Sequence, residues 1–117
     1  MPDPVKDFSI NYIELFAPSV AEARRFYGAA FGWTFEDFGP DYASFADGRV
    51  GGGFNAARPG ASGAPLVILY AANLEDALAR VERAGGTIVK PIFSFPGGRR
   101  FQFTDPAGNE LAVWSDQ

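Results

Sequence analysis

Apolar and polar positions follow the same order of periodicities in two successive stretches of the chain. Each stretch starts with an apolar strand-like segment and continues with a segment whose apolar residues recur at helical spacing. A glycine then follows, and three short alternating segments come after it. The pattern therefore predicts the element order βαβββ twice, as in a duplicated module.

The first half carries clear signals for one helix. A strand is predicted at Ile10–Phe16, and Ser19 with Glu22 three residues later forms the pattern of a capping box. Gly32 is placed to end the helix. The three strands predicted after it are Trp33–Phe38, Tyr42–Ala46 and Arg49–Phe54.

The second half repeats these signals. A strand is predicted at Pro65–Ala72, Asn73 is placed to cap the second helix, and the pair Gly85-Gly86 is placed to stop it. The strands predicted after this helix are Thr87–Ile92, Arg100–Thr104 and Glu110–Ser115. We expect residues 1–117 to form a single domain, with module 1 at about 8–55, a Pro/Gly/Ser-rich linker at 56–63 and module 2 at about 64–116.

Charge and residue content exclude several classes of function. Fourteen acidic and ten basic residues give a net charge of −4, which argues against a nucleic-acid partner and slightly favours cationic ligands. The chain contains no Cys and no His, which excludes disulfides, thiolate catalysis and the commonest general base. We expect no membrane partner and a cytoplasmic location, because the apolar run Ala64–Ala72 is short and the first seven residues lack signal-peptide features.

Three short motifs, in this order and spacing, carry a resemblance to a known family. They are Phe26-Tyr27, Phe31-Gly32-Trp33 and Asp105-Pro106-Ala107-Gly108-Asn109. With the repeated βαβββ plan, the chain resembles the vicinal oxygen chelate superfamily, which includes glyoxalase I, extradiol dioxygenases, fosfomycin-resistance enzymes and bleomycin-resistance proteins. The resemblance implies an α+β fold in which two tandem modules form a curved mixed sheet around a cleft, with the helices on the outer face.

The resemblance also implies where a metal ion would be held. Metal-dependent members use a His, Glu or Gln from the first and last strand of each module. The matching positions here are Tyr12, Leu66, Ala112 and one near Gly51. None of these fits the expected set of ligands, so we predict neither a metal nor another cofactor.

Strand alternation gives a set of candidate ligand-binding residues. If Ile13 and Leu15 pack beneath the first helix, and Leu111 and Val113 beneath the second, the intervening residues face the cleft. The candidates are Tyr12, Glu14, Phe16, Leu66, Ile68, Tyr70, Gln102, Glu110, Ala112 and Trp114. Such an aromatic pocket with two carboxylates suits a ligand with an apolar body and a cationic or hydrogen-bonding group.

Three of the candidate features have alternative interpretations. Glu14 is the candidate catalytic base, but it could instead form a structural ion pair with Arg99 or Arg100. Glu110 follows a turn, where exposure to solvent is the simpler outcome. The segment Phe93–Arg100 could be a lid that brings two cations over an anionic substrate, or an ordinary solvated loop.

We interpret the chain as a metal-free, small-molecule-binding protein of the glyoxalase/bleomycin-resistance type. The alternative is an enzyme of the same superfamily. It could be a lyase, similar to lactoylglutathione lyase, or an isomerase, either of which would use Glu14 as base, or a dioxygenase-like metal enzyme whose ligands lie elsewhere. Open sheet edges and exposed aromatic residues also predict a homodimer. The aromatic residues assigned to that interface are Phe38, Tyr42, Phe54, Phe93 and Phe95.

Overall fold

The structure, a computed structural model, describes residues 5–57 and 64–117, so residues 58–63 of the predicted linker lie outside the described part. The described residues form eight strands and two helices. In chain order these are β1 (Ile10–Phe16), α1 (Val20–Phe31), β2 (Thr34–Asp37), β3 (Tyr42–Ala46), β4 (Gly51–Asn55), β5 (Leu66–Tyr70), α2 (Leu74–Arg83), β6 (Thr87–Phe95), β7 (Gly98–Thr104) and β8 (Glu110–Ser115). Neither described helix has the length and apolar content that a membrane span requires.

The chain divides into two compact units. The first unit is Tyr12–Leu66, and the second is Val67–Gln117 together with the segment that ends at Asn11. This segment belongs to the second unit because, among other contacts, the Phe8 amide donates a 2.7 Å hydrogen bond to the carbonyl of Tyr70. The organisation of residues 1–117 as a single domain stays a prediction.

Both units have the same strand arrangement. In the first unit the order is β2-β3-β4-β1, with β1 and β4 parallel and the other pairs antiparallel. In the second unit the order is β5-β8-β7-β6, with β5 and β8 parallel and the other pairs antiparallel. The predicted α+β class and the two βαβββ modules are therefore confirmed.

The helices begin where the sequence predicts. Ser19 Oγ accepts a hydrogen bond from the Glu22 amide at 3.2 Å, and Asn73 Oδ1 accepts one from the Asp76 amide at 3.0 Å. Each cap satisfies an amide that has no partner within its own helix. The predicted capping box is only half formed, because the Glu22 carboxylate forms an ion pair with Arg25 instead of turning back to the cap.

Each helix covers a separate apolar core. In the first unit Tyr27 stacks on Trp33 with ring centroids 4.7 Å apart and on Phe54 at 5.3 Å. The buried residues of this core are Ala17, Val20, Ala43, Phe45 and Phe54, and those of the second core are Ala71, Leu74, Ala77, Phe101 and Val113. The assignment of Phe54 to an exposed interface is wrong, because this side chain is 1% exposed and lies on the helix side of β4.

The segment between β6 and β7 also differs from the prediction. Phe93–Arg100 was expected to be a loop, but β6 runs to Phe95 and β7 begins at Gly98. Pro96 presets its own φ and Gly97 takes a φ of +105°, which together make a two-residue turn. The strands therefore pair up to the turn, with Phe93 opposite Arg100.

Candidate functional site

The sheet of the first unit has one face turned away from α1, which we call the first face. It carries Tyr12, Glu14 and Phe16 from β1, Tyr42 from β3 and Asn55 from β4. Leu15 packs in the core under α1, so its neighbours in β1 point the other way, as the alternation predicted. The register sets Tyr12 opposite Gly51 and Glu14 opposite Gly53. The strand β4, which lies between β3 and β1, therefore contributes almost no side chains to this face.

Two tyrosines from the strands on either side of β4 meet above it. The hydroxyl oxygens of Tyr12 and Tyr42 are 2.5 Å apart and share a hydrogen bond. A Cβ atom on Gly53 would collide with both hydroxyl groups, so glycine at this position allows the pair to form. Sequence reasoning assigned Tyr42 to an interface and missed this role. The signal that could have revealed it is the tyrosine in each strand that flanks the glycine-rich strand.

Glu14 lies in the same face and is 1% exposed. Its Oε1 accepts a hydrogen bond from Asn55 Nδ2 at 3.3 Å. A buried carboxylate is costly unless polar groups surround it, and the Asn55 amide is one such group. Arg99, one of the ion-pair partners considered for Glu14, forms its ion pair with Glu75 instead.

In the second unit, polar side chains form a chain of hydrogen bonds on the face turned away from α2, which we call the second face. Gln102, 7% exposed, donates from Nε2 to Glu110 Oε2 at 2.6 Å. Its Oε1 accepts from Arg100 Nη2 at 3.2 Å. Glu110 is exposed, as the simpler interpretation predicted, but its carboxylate also fixes the orientation of the Gln102 amide. Gln102 thereby connects a carboxylate to a guanidinium.

The two aromatic candidates of the second face are held by polar contacts. The rings of Tyr70 and Trp114 pack edge to face with centroids 5.4 Å apart, and Trp114 Nε1 donates to Asn11 Oδ1 at 2.9 Å. Tyr70 donates from its hydroxyl to Asp116 Oδ1 at 2.6 Å. This hydrogen bond, followed by burial, raises the pKa of Tyr70, and the same bond lowers the pKa of Asp116. Both rings are therefore fixed in place.

The remaining candidates are apolar and contribute little accessible surface. Leu66 is 3% exposed, Ile68 is 2% exposed and Ala112 is fully buried, while Phe16 is partly buried. Ile68 lies opposite Ala112 in the register of β5 and β8. Their role in ligand binding stays a prediction.

The hypothesis of a lid with two adjacent cations is wrong in that form. Arg99 and Arg100 are successive residues of β7, so their side chains leave the strand on opposite faces. Arg99 forms a two-pronged ion pair with Glu75, with Nη1 to Oε2 at 2.5 Å and Nη2 to Oε1 at 3.3 Å. This contact lowers the pKa of Glu75 and raises that of Arg99. Of the two arginines, Arg100 is the one that lies on the second face.

The positions that match metal ligands in the family do not form a suitable set of donors. Tyr12 is hydrogen-bonded to Tyr42, while Gly51, Leu66 and Ala112 offer no side-chain donor. Within residues 5–57 and 64–117, no three His, Cys, Asp or Glu side chains are grouped so that they could hold a metal ion. The residues present therefore do not fit the metal of the family, and its absence from the protein stays a prediction.

Comparison with known proteins gives a consistent family assignment. The model of the Glyoxalase/Bleomycin resistance protein/Dioxygenase superfamily matches residues 9–113. The anthracycline biosynthesis protein DnrV of Streptomyces peucetius is 32% identical over 124 aligned residues, which cover 88% of this chain and 45% of the relative. The chain thus spans about half the length of that protein.

Two solved structures show the same fold at low sequence identity. A glyoxalase/bleomycin resistance protein/dioxygenase superfamily member from Vibrio splendidus is 15% identical with a TM-score of 0.68, over 92% of this chain and 98% of that one. The Mn(II)-bound glyoxalase from Novosphingobium aromaticivorans is 21% identical with a TM-score of 0.67, over 95% of this chain and 40% of that one. The match of the family model to nearly the whole sequence, together with the 32% identical relative, shows that the chain belongs to the Glyoxalase/Bleomycin resistance protein/Dioxygenase superfamily.

Proposed function

We propose that this chain is a small-molecule-binding protein that holds an aromatic ligand bearing a positive charge on the first face. The observation that supports this most strongly is the burial of Glu14 on the face that carries the tyrosine pair, opposite the glycine-rich strand β4. A carboxylate in a medium of low dielectric attracts a nearby cation strongly, even without direct contact. The tyrosine rings can stack with an aromatic ligand and attract a cation over their faces.

The glycine-rich strand leaves room for such a ligand. Among the described residues, and apart from its two neighbours in the chain, a Cβ atom on Gly51 would have one atom within 4 Å, Tyr12 Cδ2 at 3.8 Å. The absence of a side chain at Gly51 is therefore not required by the packing of the protein itself. A flat ligand lying along β4 beside Tyr12 would occupy this space.

The relative from Streptomyces peucetius suggests a ligand class for the first test. That protein is named for anthracycline biosynthesis, and anthracyclines are planar aromatic compounds, many of which carry an amino sugar. An aromatic compound with a cationic amine is the chemistry that the first face favours. We therefore extend the proposal to ligands of this type.

Isothermal titration calorimetry with daunorubicin, which carries the amine, and with its neutral aglycone tests the proposal. Glu14→Gln keeps the shape of the side chain and removes its charge, so daunorubicin affinity should fall about tenfold, as expected when a charged partner is lost. The aglycone should bind both proteins alike. Glu82→Gln, at an exposed carboxylate of α2 and outside the first face, is the matched control and should leave both affinities unchanged. A folded Glu14→Gln variant with unchanged daunorubicin affinity would contradict the role of Glu14.

The enzymatic alternative is a lyase or isomerase in which Glu14 acts as base, or a dioxygenase-like metal enzyme whose ligands lie elsewhere. Turnover of a hemithioacetal with added Ni²⁺ or Zn²⁺, abolished in Glu14→Gln, would favour this alternative over simple binding. We expect no such turnover, because the positions that match metal ligands lack donors. Elemental analysis after gel filtration should likewise find no stoichiometric Zn, Ni, Mn or Fe.

A homodimer and a cytoplasmic location complete the proposal. Phe26, Phe31 and Phe38 are 54%, 63% and 55% exposed, which leaves large apolar side chains for a partner surface. The edge strand β6 contains Pro91, and its pairing with β7 has two irregularities, both of which hinder the addition of a further strand. We therefore expect the two copies to make contact through side chains. Light scattering should give twice the 12.6 kDa chain mass, and a single-chain mass would contradict the dimer. The cysteine-free composition is compatible with a reducing cytoplasm.

A further inference from the structure

One residue of the second unit has a strained backbone. Phe8 has a φ of +64°, and within residues 5–57 and 64–117 no other residue except glycine has a positive φ. This left-handed conformation brings Cβ too close to the following carbonyl oxygen, and bulky side chains rarely adopt it. Such strain persists only where the surrounding contacts enforce it, so the contacts of Phe8 indicate what the strained segment does.

Hydrogen bonds hold the segment around Phe8 against the end of β5. The Phe8 amide donates to the Tyr70 carbonyl at 2.7 Å, and the Tyr70 amide donates to the Ser9 carbonyl at 3.1 Å. Asp7 Oδ1 accepts a hydrogen bond from the Ala72 amide at 2.8 Å. Three successive residues therefore bind the stretch of backbone that joins β5 to α2.

The same segment also holds the aromatic pair of the second face. Asn11 Oδ1 accepts a hydrogen bond from Trp114 Nε1 at 2.9 Å, and the Trp114 ring packs edge to face against Tyr70. We call residues 7–11 the clasp. The clasp binds the backbone of one residue of the aromatic pair and the side chain of the other. Its release would remove a hydrogen-bond partner from each of them.

Burial of side chains does little to anchor the clasp. Phe8 is 46% exposed and Ile10 is 64% exposed. The Phe8 ring contacts the exposed Arg80, whose Cζ lies 4.8 Å from the ring centroid. The pairing of β1 with β4 begins only at Tyr12, so the clasp can leave without breaking that ladder. A segment with few buried apolar contacts opens more readily than a core strand, and release of the strain at Phe8 favours opening further.

We propose that the clasp is a conformational switch that opens as one unit and frees Tyr70 and Trp114 on the second face. In the closed state the Tyr70 carbonyl and the Trp114 indole N–H are both bonded to the clasp. In the open state these two groups can bond water or a ligand instead. The inference goes beyond the proposed function and rests on other residues, because Glu14 and the tyrosine pair belong to the first unit.

Native-state hydrogen exchange of the full ¹⁵N-labelled chain, measured by nuclear magnetic resonance without ligand, tests whether the clasp opens as one unit. The amides of Phe8, Tyr70 and Ala72 and the Trp114 indole N–H should report one common opening constant. That constant should exceed the one for amides in the centre of β7 by about a hundredfold or more, as expected for local rather than global opening. The Trp33 indole N–H of the first unit is the control and should not change in variants of the clasp.

Two substitutions of Phe8 separate the strain from the contact with Arg80. Phe8→Leu keeps the strain and removes the ring, so the opening constant should rise about threefold, as expected for an exposed cation–π contact. Phe8→Gly also lacks the ring but adopts a positive φ freely, so its opening constant should lie about fivefold below that of Phe8→Leu. Ile10 is the matched position, because its φ is not positive. Glycine there only adds freedom to the open state, so Ile10→Gly should open more than Ile10→Leu.

Two outcomes would overturn the proposal. One is a clear difference between the opening constants of the Phe8 amide and the Trp114 indole N–H. The other is that glycine opens the clasp more than leucine at Phe8, as it should at Ile10. Should Phe8→Leu fail to fold by circular dichroism, Arg80→Gln removes the same contact from the exposed helix side and should raise opening by a similar factor. These measurements involve neither Glu14 nor a ligand, so failure here and failure of the proposed function are distinguishable.

Discussion

The last strand of each unit is the clearest contrast between the two halves of this protein. Both strands run parallel to the first strand of their unit, β4 beside β1 and β8 beside β5. However, β4 begins with Gly51-Gly52-Gly53, whereas the middle of β8 reads Leu111-Ala112-Val113-Trp114. In the second unit β8 supplies Val113 to the core under α2. In the first unit β4 supplies Phe54 to the core under α1, and side chains of the neighbouring strands fill the space beside Gly52 and Gly53.

The contrast shows how the same strand order can bring different polar groups together in the two units. Where the last strand lacks side chains, the groups that meet above it come from its neighbours, as Tyr12 and Tyr42 do above Gly53. Where the last strand carries full side chains, polar groups gather on the strands beyond it, as Arg100 and Gln102 do on β7. Which polar side chains meet on each face therefore depends on the neighbours in the strand register more than on the repeated element order.

The largest expected effect is on stability and concerns Gly52. A Cβ atom there would collide with the Phe45 ring and with the backbone carbonyl of Ile13, which cannot move without shifting β1. Gly52→Ala should therefore lower the free energy of unfolding by about 3 kcal/mol, the upper end of typical overpacking costs. Urea denaturation followed by circular dichroism measures it.

Gly51→Ala is the matched control in the same strand. Its added Cβ would have ordinary contact with one ring atom of Tyr12 at 3.8 Å, so stability should change by less than about 0.5 kcal/mol. Similar losses in the two variants would show that glycine in β4 serves the strand as a whole. The proposed difference between Gly51 and Gly52 would then be contradicted.

A smaller effect is expected for the tyrosine pair. Tyr42→Phe removes one hydroxyl of the hydrogen bond with Tyr12 and should cost about 1 kcal/mol of unfolding free energy. A double-mutant cycle with Tyr12→Phe isolates the interaction between the two hydroxyls. The coupling should be favourable and of similar size. Fully additive losses would mean that each hydroxyl is held by other groups.

The smallest effect concerns a feature that the two units share. Asp47 accepts from the amides of Val50 and Arg49 at 2.7 Å in the turn before β4, and Asp105 accepts from the side chain and amide of Asn109 in the turn before β8. These bonds lower the pKa of both carboxyl groups from the ordinary value of 3.8. Their stabilisation is therefore present above that pH and is lost as the pH falls through the lowered folded-state pKa.

Acid denaturation tests the equivalence of the two turns. Asp47→Asn and Asp105→Asn each keep an oxygen acceptor but remove the carboxyl group that titrates. Each variant should therefore lose less unfolding free energy than the wild type when the pH is lowered from about 5 to about 2, a range that spans the ordinary pKa of aspartate. The two variants should behave alike. A reduced acid dependence in only one of them would show that a single turn carries this effect.

Local signals made much of the fold predictable from the sequence. Ser19 and Asn73 each bind an amide three residues away, so the caps are visible without knowledge of the rest of the chain. The alternation in β1 correctly separated Leu15 from Glu14, because one side of each sheet packs under a helix. By contrast, the alternation of β4 gave no such signal, because three successive glycines hide which face the next residue, Phe54, occupies.

The candidate site was less predictable because it depends on strand order. The tyrosine pair requires that β4 lie between β1 and β3, and the contact of both Lys90 and Arg100 with the Phe93 ring requires the irregular pairing of β6 with β7. Neither relation is encoded in a local pattern. The Pro96-Gly97 turn was hidden for a related reason, since a run of turn-forming residues indicates a loop without fixing its length.

Mapping where daunorubicin binds, from amide chemical shifts of the ¹⁵N-labelled chain, tests the central claim most directly. Saturable shifts should be largest at Tyr12, Glu14, Gly51 and Gly53, and they should require higher ligand concentration in Glu14→Gln. Saturable shifts confined to the second unit, or none in β1 and β4, would contradict the assignment of the first face as the ligand-binding surface.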